Sequence, residues 1–355
     1  MKNKNALFFI NSFGRGGAER VCINLGNELV SNNYNVKFIT LYDKCEYLDC
    51  DNFETLNLGI SDNSNTVVKL FKIIISIRKI NKFIGENKYN LITSHLPLAN
   101  FVTMVSKVGK NSIYVIHSNI NNNIKNGLIK DIVKFLLKKK KVVTVSNELE
   151  NDLRENYDIL NTKTIYNPLV TSNIQLLKEK EVKIDRNYIL FVGRLEEVKR
   201  VDRLINNYYN GKLYEKCDLV LLGIGSLDNS LKELVKKYNI EKYVKFVGWE
   251  SNVYKWMNKA ECLVLTSDSE AFPMILIEAL ACSCKVVAGD CSYGPREILS
   301  GSLSEFLVKD YLSDTAYIEK IELALKSKIK SNNLDILDKC DAKNVAKEYL
   351  DFYKK

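Results

Sequence analysis

Short apolar runs alternate with helical patterns along this chain, and the whole alternation occurs twice. Strands that alternate with helices predict parallel sheets covered by helices on both faces. The sequence therefore predicts an α/β protein made of two doubly wound, Rossmann-like domains. Ten strands are predicted: Ala6–Asn11, Val36–Leu41, Leu91–Ser94, Ser112–Ile116 and Val142–Val145, then Tyr188–Val192, Leu219–Leu222, Val244–Val247, Cys262–Thr266 and Lys285–Ala288.

The length of 355 residues also suggests two domains, since each half is long enough to bury its own core. A polar stretch, Thr171–Arg186, follows Pro168 and is predicted to link the halves. We therefore expect a first domain over residues 1–170 and a second over residues 171–335.

Two glutamates, Glu270 and Glu278, lie eight positions apart around a predicted turn between a strand and a helix. A turn at a helix N-terminus presents unpaired backbone N–H groups that can hold a phosphate-linked ligand. Glu270, before the turn, can accept hydrogen bonds from sugar hydroxyls, and Glu278, in the helix, can reach a ribose. A solvated pair near a helix start is the alternative. The apolar neighbours of Glu278 weigh against it, because an unpaired carboxylate among them is costly.

This segment resembles the E-x7-E signature of the large retaining glycosyltransferase family 4, whose members have the GT-B fold. Four further segments, in the expected order, resemble motifs of that family. They are the glycine loop Gly16-Gly17-Ala18-Glu19-Arg20, the segment Val115-Ile116-His117-Ser118-Asn119, the segment Ile165-Tyr166-Asn167-Pro168, and the donor clamp Phe191 to Lys199. The resemblance implies two domains that face each other across a cleft. It also implies that a C-terminal helix, within about residues 336–355, crosses back to the first domain.

The resemblance implies a site for a nucleotide-sugar donor. Arg194 and Lys199 are expected to stabilise charge that grows on the β-phosphate as the diphosphate leaves, because preorganised cations supply a large catalytic term. His117 is expected to contact the transferred sugar or its phosphate, whereas a structural role is expected for His95. The expected catalytic residues are His117, Arg194, Lys199 and Glu270. The expected donor-binding residues are Gly16, Gly17, Gly193, Arg194, Lys199, Gly223, Gly225, Val247, Trp249, Glu270, Phe272, Pro273, Met274, Ile275 and Glu278.

The implied reaction is a retaining, metal-independent transfer of a hexose or N-acetylhexosamine to a lipid-linked saccharide, as in O-antigen or capsule synthesis. The segment Ser292 to Ile298 resembles members that use a UDP-sugar rather than GDP-mannose. No cofactor and no metal are expected. Asp49-Cys50-Asp51 has the pattern of a metal-binding Asp-x-Asp, but it lies far from every donor motif.

Two alternative functions remain open: a UDP-sugar 2-epimerase of the same fold, and a non-catalytic partner that binds a nucleotide sugar. The presence of all four motif residues argues against a non-catalytic partner, which would tolerate their loss: Arg194, Lys199, Glu270 and Glu278. A nicotinamide oxidoreductase is a more distant alternative, because Asp228 stands where the third glycine of a dinucleotide fingerprint belongs.

The net charge of +9 is concentrated in one part of the chain. Between Thr66 and Val145, fifteen Lys or Arg stand against two acids. Val67–Ile84 is predicted to be a helix with isoleucines on one side and lysines on the other, and Gly127–Lys141 repeats the pattern. Such a surface suits an anionic membrane that carries a lipid-linked acceptor. A merely solvated surface is the alternative, and no nucleic-acid-binding module is recognised.

The nine cysteines follow no zinc-site spacing and no disulfide framework, so reduced, mostly buried thiols are expected. The first apolar run, Ala6–Ile10, is too short for a signal peptide or a membrane span. We therefore expect a cytoplasmic protein that works peripherally at the inner face of the cell membrane.

Overall fold

Two parallel sheets form the framework of the protein in a computed structural model that describes residues 4–14, 16–46, 52–61, 66–118, 134–327 and 335–355. The chain divides into two units. The first contains Met1–Leu169 together with Lys339–Lys355, and the second contains Val170–Asp338.

The first unit holds a sheet of seven described strands: β1 Lys4–Ile10, β2 Tyr34–Thr40, β3 Glu54–Asn57, β4 Leu91–His95, β5 Ile113–Ile116, β6 Lys141–Thr144 and β7 Thr162–Thr164. Their order is β3-β2-β1-β4-β5-β6-β7, and every pair is parallel. The helices between them are α1 Gly17–Ser31, α2 Thr66–Ile84, α3 Pro97–Val105 and α4 Asn147–Tyr157. β1 lies inside the sheet between β2 and β4, and its residues from Ala6 to Ile10 are all buried, as this unbroken apolar run predicts.

The second unit holds a sheet of six described strands: β8 Tyr188–Val192, β9 Asp218–Leu222, β10 Val244–Gly248, β11 Cys262–Leu265, β12 Lys285–Gly289 and β13 Leu307–Val308. Their order is β10-β9-β8-β11-β12-β13, again all parallel. The helices of this unit are α5 Thr171–Lys178, α6 Val201–Asn210, α7 Asp228–Lys237, α8 Tyr254–Lys259, α9 Met274–Ala281, α10 Pro295–Ile298 and α11 Asp314–Lys326. Both sheets have the doubly wound topology, in which the strand order reverses beside the first strand of the unit.

The end of the chain returns to the first unit through α12 Asp335–Cys340 and α13 Ala342–Lys354. Leu169 N–H donates to Cys340 O at 2.7 Å, and Ala342 N–H donates to Leu169 O at 3.1 Å. The Asp341 carboxylate caps α13 by accepting from two first-turn amides. α13 then packs on α1. The predicted return of the C-terminal helix to the first domain is confirmed.

All ten predicted strands are present, with ends that shift by no more than two residues. The strands that were missed, β3, β7 and β13, lie at sheet edges. An edge strand is short and needs no continuous apolar run, so it leaves little signal in the sequence. The predicted linker Thr171–Arg186 is wrong in its first half, because α5 forms there and buries Ile174 within the second unit.

The basic segments differ in part from their prediction. The helix predicted over Val67–Ile84 is α2, which buries Ile73, Ile80 and Ile84. However, Ile74 was predicted on the inner side and is 67% exposed. Residues 127–133 of the segment Gly127–Lys141 lie outside the described residues.

The four lysines that close this segment are mainly engaged with the protein itself. Lys138 forms an ion pair with Asp158, and Lys140 Nζ donates to Gly109 O at 2.9 Å. Lys141 begins β6, rather than ending a helix, and donates to Tyr353 O at 2.7 Å.

Seven cysteines are free and buried, as expected: Cys22, Cys217, Cys262, Cys282, Cys284, Cys291 and Cys340. Cys45 differs, because it is exposed and disulfide-bonded. Its sulfur is not buried in a core, so the expectation of reduced, buried cysteines is wrong for Cys45. Among the described residues, no helix is both long and apolar enough to cross a membrane.

Candidate functional site

The strand order of the second unit reverses between β8 and β11, and the loops that follow these two strands carry six of the thirteen donor residues predicted in this unit. Ligands of doubly wound sheets bind beyond the carboxyl ends of the strands at such a reversal. The loop after β8 contains Gly193, Arg194 and Lys199, and the loop after β11 runs from Thr266 to Pro273. The predicted residues of this unit are therefore gathered at the expected edge.

Lys199 and Glu270, which are 71 positions apart, are in direct contact. Lys199 Nζ lies 2.6 Å from Glu270 Oε1, and the two side chains are 22% and 11% exposed. The Ser267 hydroxyl donates to the same carboxylate oxygen at 2.6 Å. The sequence predicted both residues for the site but did not predict that they would pair. Each is therefore the counter-ion of the other.

A hydrogen-bonded network fixes the loop that carries Lys199. Asp268 N–H donates to Val198 O at 2.9 Å, and the Thr266 hydroxyl donates to Arg200 O at 2.9 Å. The buried Arg203 guanidinium donates to Thr266 O at 2.9 Å and to Asp268 Oδ1 at 3.0 Å. These contacts tie the turn after β8 to the turn after β11. The positions of Lys199 and Glu270 are therefore set together.

Arg194 stands in the same loop with its side chain exposed. Within the described part of the chain it forms no hydrogen bond and no salt bridge, although its charge helps to hold the pKa of Glu196 below the ordinary value. The larger cause of that shift is the pair of hydrogen bonds from Ser226 to the Glu196 carboxylate. Arg194 is thus a cation available to a ligand.

Gly223 and Gly225 allow two loops to touch through their backbones. A Cβ at Gly223 would lie 1.8 Å from Gly193 O, and one at Gly225 would lie 2.3 Å from Leu195 O. Gly223 also has a φ of +146°, which favours glycine. Leu195 N–H donates to Ile224 O at 3.0 Å, which joins the loop after β8 to the loop after β9. These glycines support the Arg194 loop; a contact with the donor remains a prediction for them.

Helix α9 begins at Met274, directly after the predicted turn. Phe272 and Pro273 are buried, while Met274 and Ile275 are partly exposed at the N-terminus, where backbone amides lack partners inside the helix. Glu278 follows one turn later. It is partly buried, and the Tyr254 hydroxyl lies 3.5 Å from its Oε1. This arrangement agrees with the strand–turn–helix predicted around the two glutamates.

Val247 and Trp249 lie at the carboxyl end of β10, where the strand register shifts between Phe246 and Gly248. Their side chains are 38% and 52% exposed. Gly248 between them has a φ of +80°. An exposed indole at a strand end can stack on a nucleobase, so the predicted contact with the base stays open.

The glycine loop of the first unit follows β1. Gly16 is the N-cap residue of α1, and a Cβ there would lie 2.0 Å from Glu19 Oε2, whereas Gly17 has open space around it. A contact of Gly16 and Gly17 with the donor remains a prediction, and the open space beside Gly17 is compatible with it. The loop does not require glycine for a left-handed backbone, since neither Gly14, Gly16 nor Gly17 has a positive φ.

His117 follows β5, and its ring contacts the ring of His95 at the end of the neighbouring strand β4. His95 Nδ1 lies 2.9 Å from His117 Nε2, and His95 Nε2 lies 3.1 Å from Thr93 Oγ1. Burial lowers the pKa of His117 to about 4. Burial, and then the neighbouring His117, hold the pKa of His95 well below its ordinary value. Both imidazoles are therefore neutral at neutral pH.

The contact makes His95 part of the candidate site, although the sequence analysis expected only a structural role for it. A signal was present. The chain contains two histidines, and each stands at the end of a strand that the alternating pattern predicts. The ion network of Arg200, Arg203 and Asp268 was also missed. Nothing in the local sequence distinguishes those residues from surface charges.

No group of three or more metal-binding side chains occurs among the described residues. The Asp49-Cys50-Asp51 pattern lies outside them.

Two family models match the chain and together cover most of it. The model described as Glycosyltransferase Family 4 matches residues 15–173, and the model described as Glycosyl transferases group 1 matches residues 173–336. The N-acetylgalactosamine-N,N'-diacetylbacillosaminyl-diphospho-undecaprenol 4-alpha-N-acetylgalactosaminyltransferase of Campylobacter jejuni is 30% identical over an alignment of 314 residues, and the match covers 85% of this chain and 85% of the relative.

Solved structures show the same fold. A glycosyltransferase from Rickettsia africae superposes with a TM-score of 0.71 at 19% identity, covering 100% of this chain and 94% of its own. The Anabaena protein Alr3699/HepE, in complex with UDP-glucose, gives a TM-score of 0.72 at 17% identity, covering 99% of this chain and 96% of its own. The predicted GT-B fold class is confirmed.

Proposed function

The chain belongs to the glycosyltransferases of group 1 and family 4, and from this membership we propose that it transfers a hexose or N-acetylhexosamine from a nucleotide sugar to a lipid-linked saccharide. The observation that carries the proposal is the cluster at the carboxyl edge of the second sheet. There, Lys199 is paired with Glu270. The exposed guanidinium of Arg194 forms no hydrogen bond and no salt bridge with any described residue.

The diphosphate of the donor is the group that this cluster suits best. Departure of a nucleoside diphosphate places negative charge on the β-phosphate, and Arg194 and Lys199 would stabilise it. The first amides of α9, at Met274 and Ile275, would add hydrogen bonds to the phosphates. We propose no metal for this reaction, since these groups supply the charge that a metal would.

Binding of the donor would change the partner of Lys199. In the free protein its ammonium is bonded to Glu270. A diphosphate offers it a stronger anion, so Glu270 would become available to accept hydrogen bonds from the hydroxyls of the sugar. Glu270 would then bind the sugar, and Lys199 would bind the phosphate.

The nucleotide itself would be held by Glu278 and by the end of β10. A carboxylate that is partly buried on α9 can accept hydrogen bonds from the ribose hydroxyls. The exposed ring of Trp249 can stack on the base beside Val247. We favour UDP because the segment Ser292 to Ile298 resembles that of UDP-sugar enzymes.

We propose retention of anomeric configuration through reaction on the front face of the sugar. This proposal rests on the family resemblance. Among the described residues we assign no covalent nucleophile, because the role proposed for Glu270 is to accept hydrogen bonds from the hydroxyls of the sugar. The stereochemistry of the product tests this point directly.

A lipid-linked acceptor is proposed because the Campylobacter relative is named for a diphospho-undecaprenol substrate. The exposed face of α2 supports it. Phe71, Ile74 and Ile75 are 63%, 67% and 59% exposed, and the exposed cations Lys72, Arg78, Lys79 and Lys82 lie on the same helix. Apolar side chains beside cations suit the boundary of an anionic membrane. We therefore place the protein peripherally at the inner face of the cell membrane.

A donor screen tests the proposal. The purified chain is incubated with UDP-glucose, UDP-galactose, their N-acetylated forms and GDP-mannose, with and without undecaprenyl-diphosphate saccharides. We expect release of nucleoside diphosphate and a longer lipid-linked saccharide with one UDP-sugar. A UDP-sugar converted to its C2 epimer would instead indicate an epimerase. Tight UDP binding without turnover of any donor would indicate a binding protein.

A further inference from the structure

Three side chains form a hydrogen-bonded row at the carboxyl edge of the first sheet. Thr93 and His95 are two positions apart in β4, so they share one face of the sheet. Thr93 Oγ1 lies 3.1 Å from His95 Nε2, and His95 Nδ1 lies 2.9 Å from His117 Nε2. Thr93 and His95 are fully buried, whereas His117, at the end of the row, is partly exposed.

The row has only two arrangements of protons, because a neutral imidazole carries one N–H and one lone pair. In the first, Thr93 donates to His95 Nε2, His95 Nδ1–H donates to His117 Nε2, and His117 carries its proton on Nδ1. In the second, every bond is reversed, and His117 Nδ1 carries a lone pair. The state of His117 is therefore tied to that of Thr93.

The hydroxyl of Thr93 selects between the two arrangements. Thr93 has no solvent exposure, and within the described part of the chain His95 is the partner of its side chain. In the second arrangement this hydroxyl accepts from His95, and its own O–H is left buried without an acceptor. An orphaned buried donor is costly, whereas an unfilled lone pair on a hydroxyl that already donates is tolerated. The first arrangement is thus the stable one.

We propose that Thr93 and His95 are positioning residues that fix the tautomer of His117, so that its imidazole presents Nδ1–H as a hydrogen-bond donor to an oxygen of the nucleotide sugar. The proposal rests on the proposed function for the identity of the ligand. It also gives His117 a defined chemistry. His117 binds a hydroxyl or phosphate oxygen and does not remove a proton from the acceptor.

The first test reads the tautomers in the free protein. The full-length chain, without a histidine tag, is labelled with ¹⁵N-histidine, and its long-range ¹H–¹⁵N spectrum is recorded at pH 7. The chain contains two histidines, so His95→Asn assigns both imidazoles. We expect a proton on Nδ1 of His117 and none on Nε2. A proton on Nε2, or an imidazolium, would overturn the proposal.

The second test removes the hydroxyl that selects the arrangement. Thr93→Val keeps the shape of the side chain but removes the hydroxyl. The fraction of His117 that carries its proton on Nδ1 should therefore fall, and the fraction with the proton on Nε2 should rise. Thr144→Val is the matched control, since Thr144 is a buried strand threonine of the same sheet that bonds to Thr164 at 3.2 Å. The control should leave both imidazoles as they are in the wild type. An unchanged His117 spectrum in Thr93→Val would contradict the selection.

The third test measures transfer. Thr93→Val and His95→Leu should each lower kcat about tenfold, which corresponds to about 1.4 kcal/mol, with a smaller change in KM for the donor. His95→Asn should recover most of the loss, because its amide can donate to His117 Nε2 in place of Nδ1–H. Full kcat in His95→Leu would reject the positioning role. If no donor is turned over by the wild type, the proposed function fails, while the spectra still decide the tautomer.

Discussion

Lys199 Nζ lies 2.6 Å from Glu270 Oε1, so two residues predicted to hold different parts of a donor are bonded to each other in the free protein. The pair stands where the strand order of the second sheet reverses. Under the proposed function, the donor would compete with an internal ion pair, and its diphosphate would displace Glu270 from Lys199. The first two predictions depend on this exchange.

Removal of either cation should impair turnover. Arg194→Ala and Lys199→Ala should each lower kcat roughly 100- to 1000-fold, by analogy with the loss of one preorganised donor of an oxyanion site. Thermal unfolding should change little in Arg194→Ala, whose side chain is exposed, whereas Lys199→Ala should lower the unfolding temperature because Glu270, which is 11% exposed, loses its counter-ion. Lys236→Ala, which removes an exposed cation from α7, is the matched control and should retain wild-type kcat. Near-normal turnover in either clamp variant would reject the assignment.

The two glutamates should separate sugar recognition from nucleotide recognition. Glu270→Ala should impair use of the nucleotide sugar but not binding of free UDP, since the variant leaves Lys199 without its internal competitor. Glu278→Ala should weaken free UDP about tenfold through the loss of a ribose hydrogen bond. Calorimetric titration with UDP, beside turnover, distinguishes the two. Glu233→Ala, an exposed glutamate of α7, is the control, and equal losses in both site variants would contradict this division.

Activity should survive a chelator. If Arg194, Lys199 and the first amides of α9 stabilise the leaving diphosphate, then transfer measured in excess EDTA should match transfer without it. Activity that is abolished by EDTA and restored only by Mn²⁺ or Mg²⁺ would overturn the metal-independent mechanism. It would direct attention to Asp49 and Asp51.

Helix α2 should bind anionic vesicles. Each cation near such a surface contributes about 1 kcal/mol, and the attraction falls off within about 8 Å at physiological ionic strength. Reversal of Lys72, Lys79 and Lys82 to glutamate should abolish sedimentation with anionic vesicles at low salt and slow transfer to a lipid-linked acceptor. Transfer to a short water-soluble acceptor should be spared.

The control for α2 reverses the same number of charges on the second unit, at the exposed residues Lys236, Lys237 and Lys309. It should sediment like the wild type. Replacement of Phe71, Ile74 and Ile75 by serine should remove the vesicle binding that persists at high salt. That binding depends on apolar contact, which salt does not screen. Equal sedimentation of the wild type with neutral and anionic vesicles would leave the lysines as a solvated surface.

Stability should fall as the pH drops below the ordinary histidine range. Burial lowers the pKa of His117 to about 4 and holds the pKa of His95 well below its ordinary value, so the unfolded chain binds protons in a pH range where the folded chain does not. Each histidine should therefore cost about 1.4 kcal/mol of unfolding free energy per pH unit from about pH 6.5 downward. Urea unfolding at pH 7, 6 and 5 measures this slope. The slope should be much reduced in His95→Asn/His117→Asn, and an equal slope there would exclude the histidines as its source.

The sequence by itself determined the two-sheet architecture, because strands buried on both faces need continuous apolar runs. β1 and β8 are visible for that reason. It also placed Arg194, Lys199, Glu270 and Glu278 around strand ends, since turns and helix starts have local residue preferences. Edge strands such as β3 were not predicted. One side of an edge strand pairs with no other strand, so its sequence can be polar.

Only the tertiary structure decided which of these residues meet. The contact of Lys199 with Glu270 joins positions 71 residues apart, and the contact of His95 with His117 joins positions 22 residues apart. Sheet order creates both contacts, by bringing β8 beside β11 and β4 beside β5. Strand order depends on how whole layers pack, and no local pattern records it. The chemistry of single residues could thus be predicted from sequence, whereas their pairing required the fold.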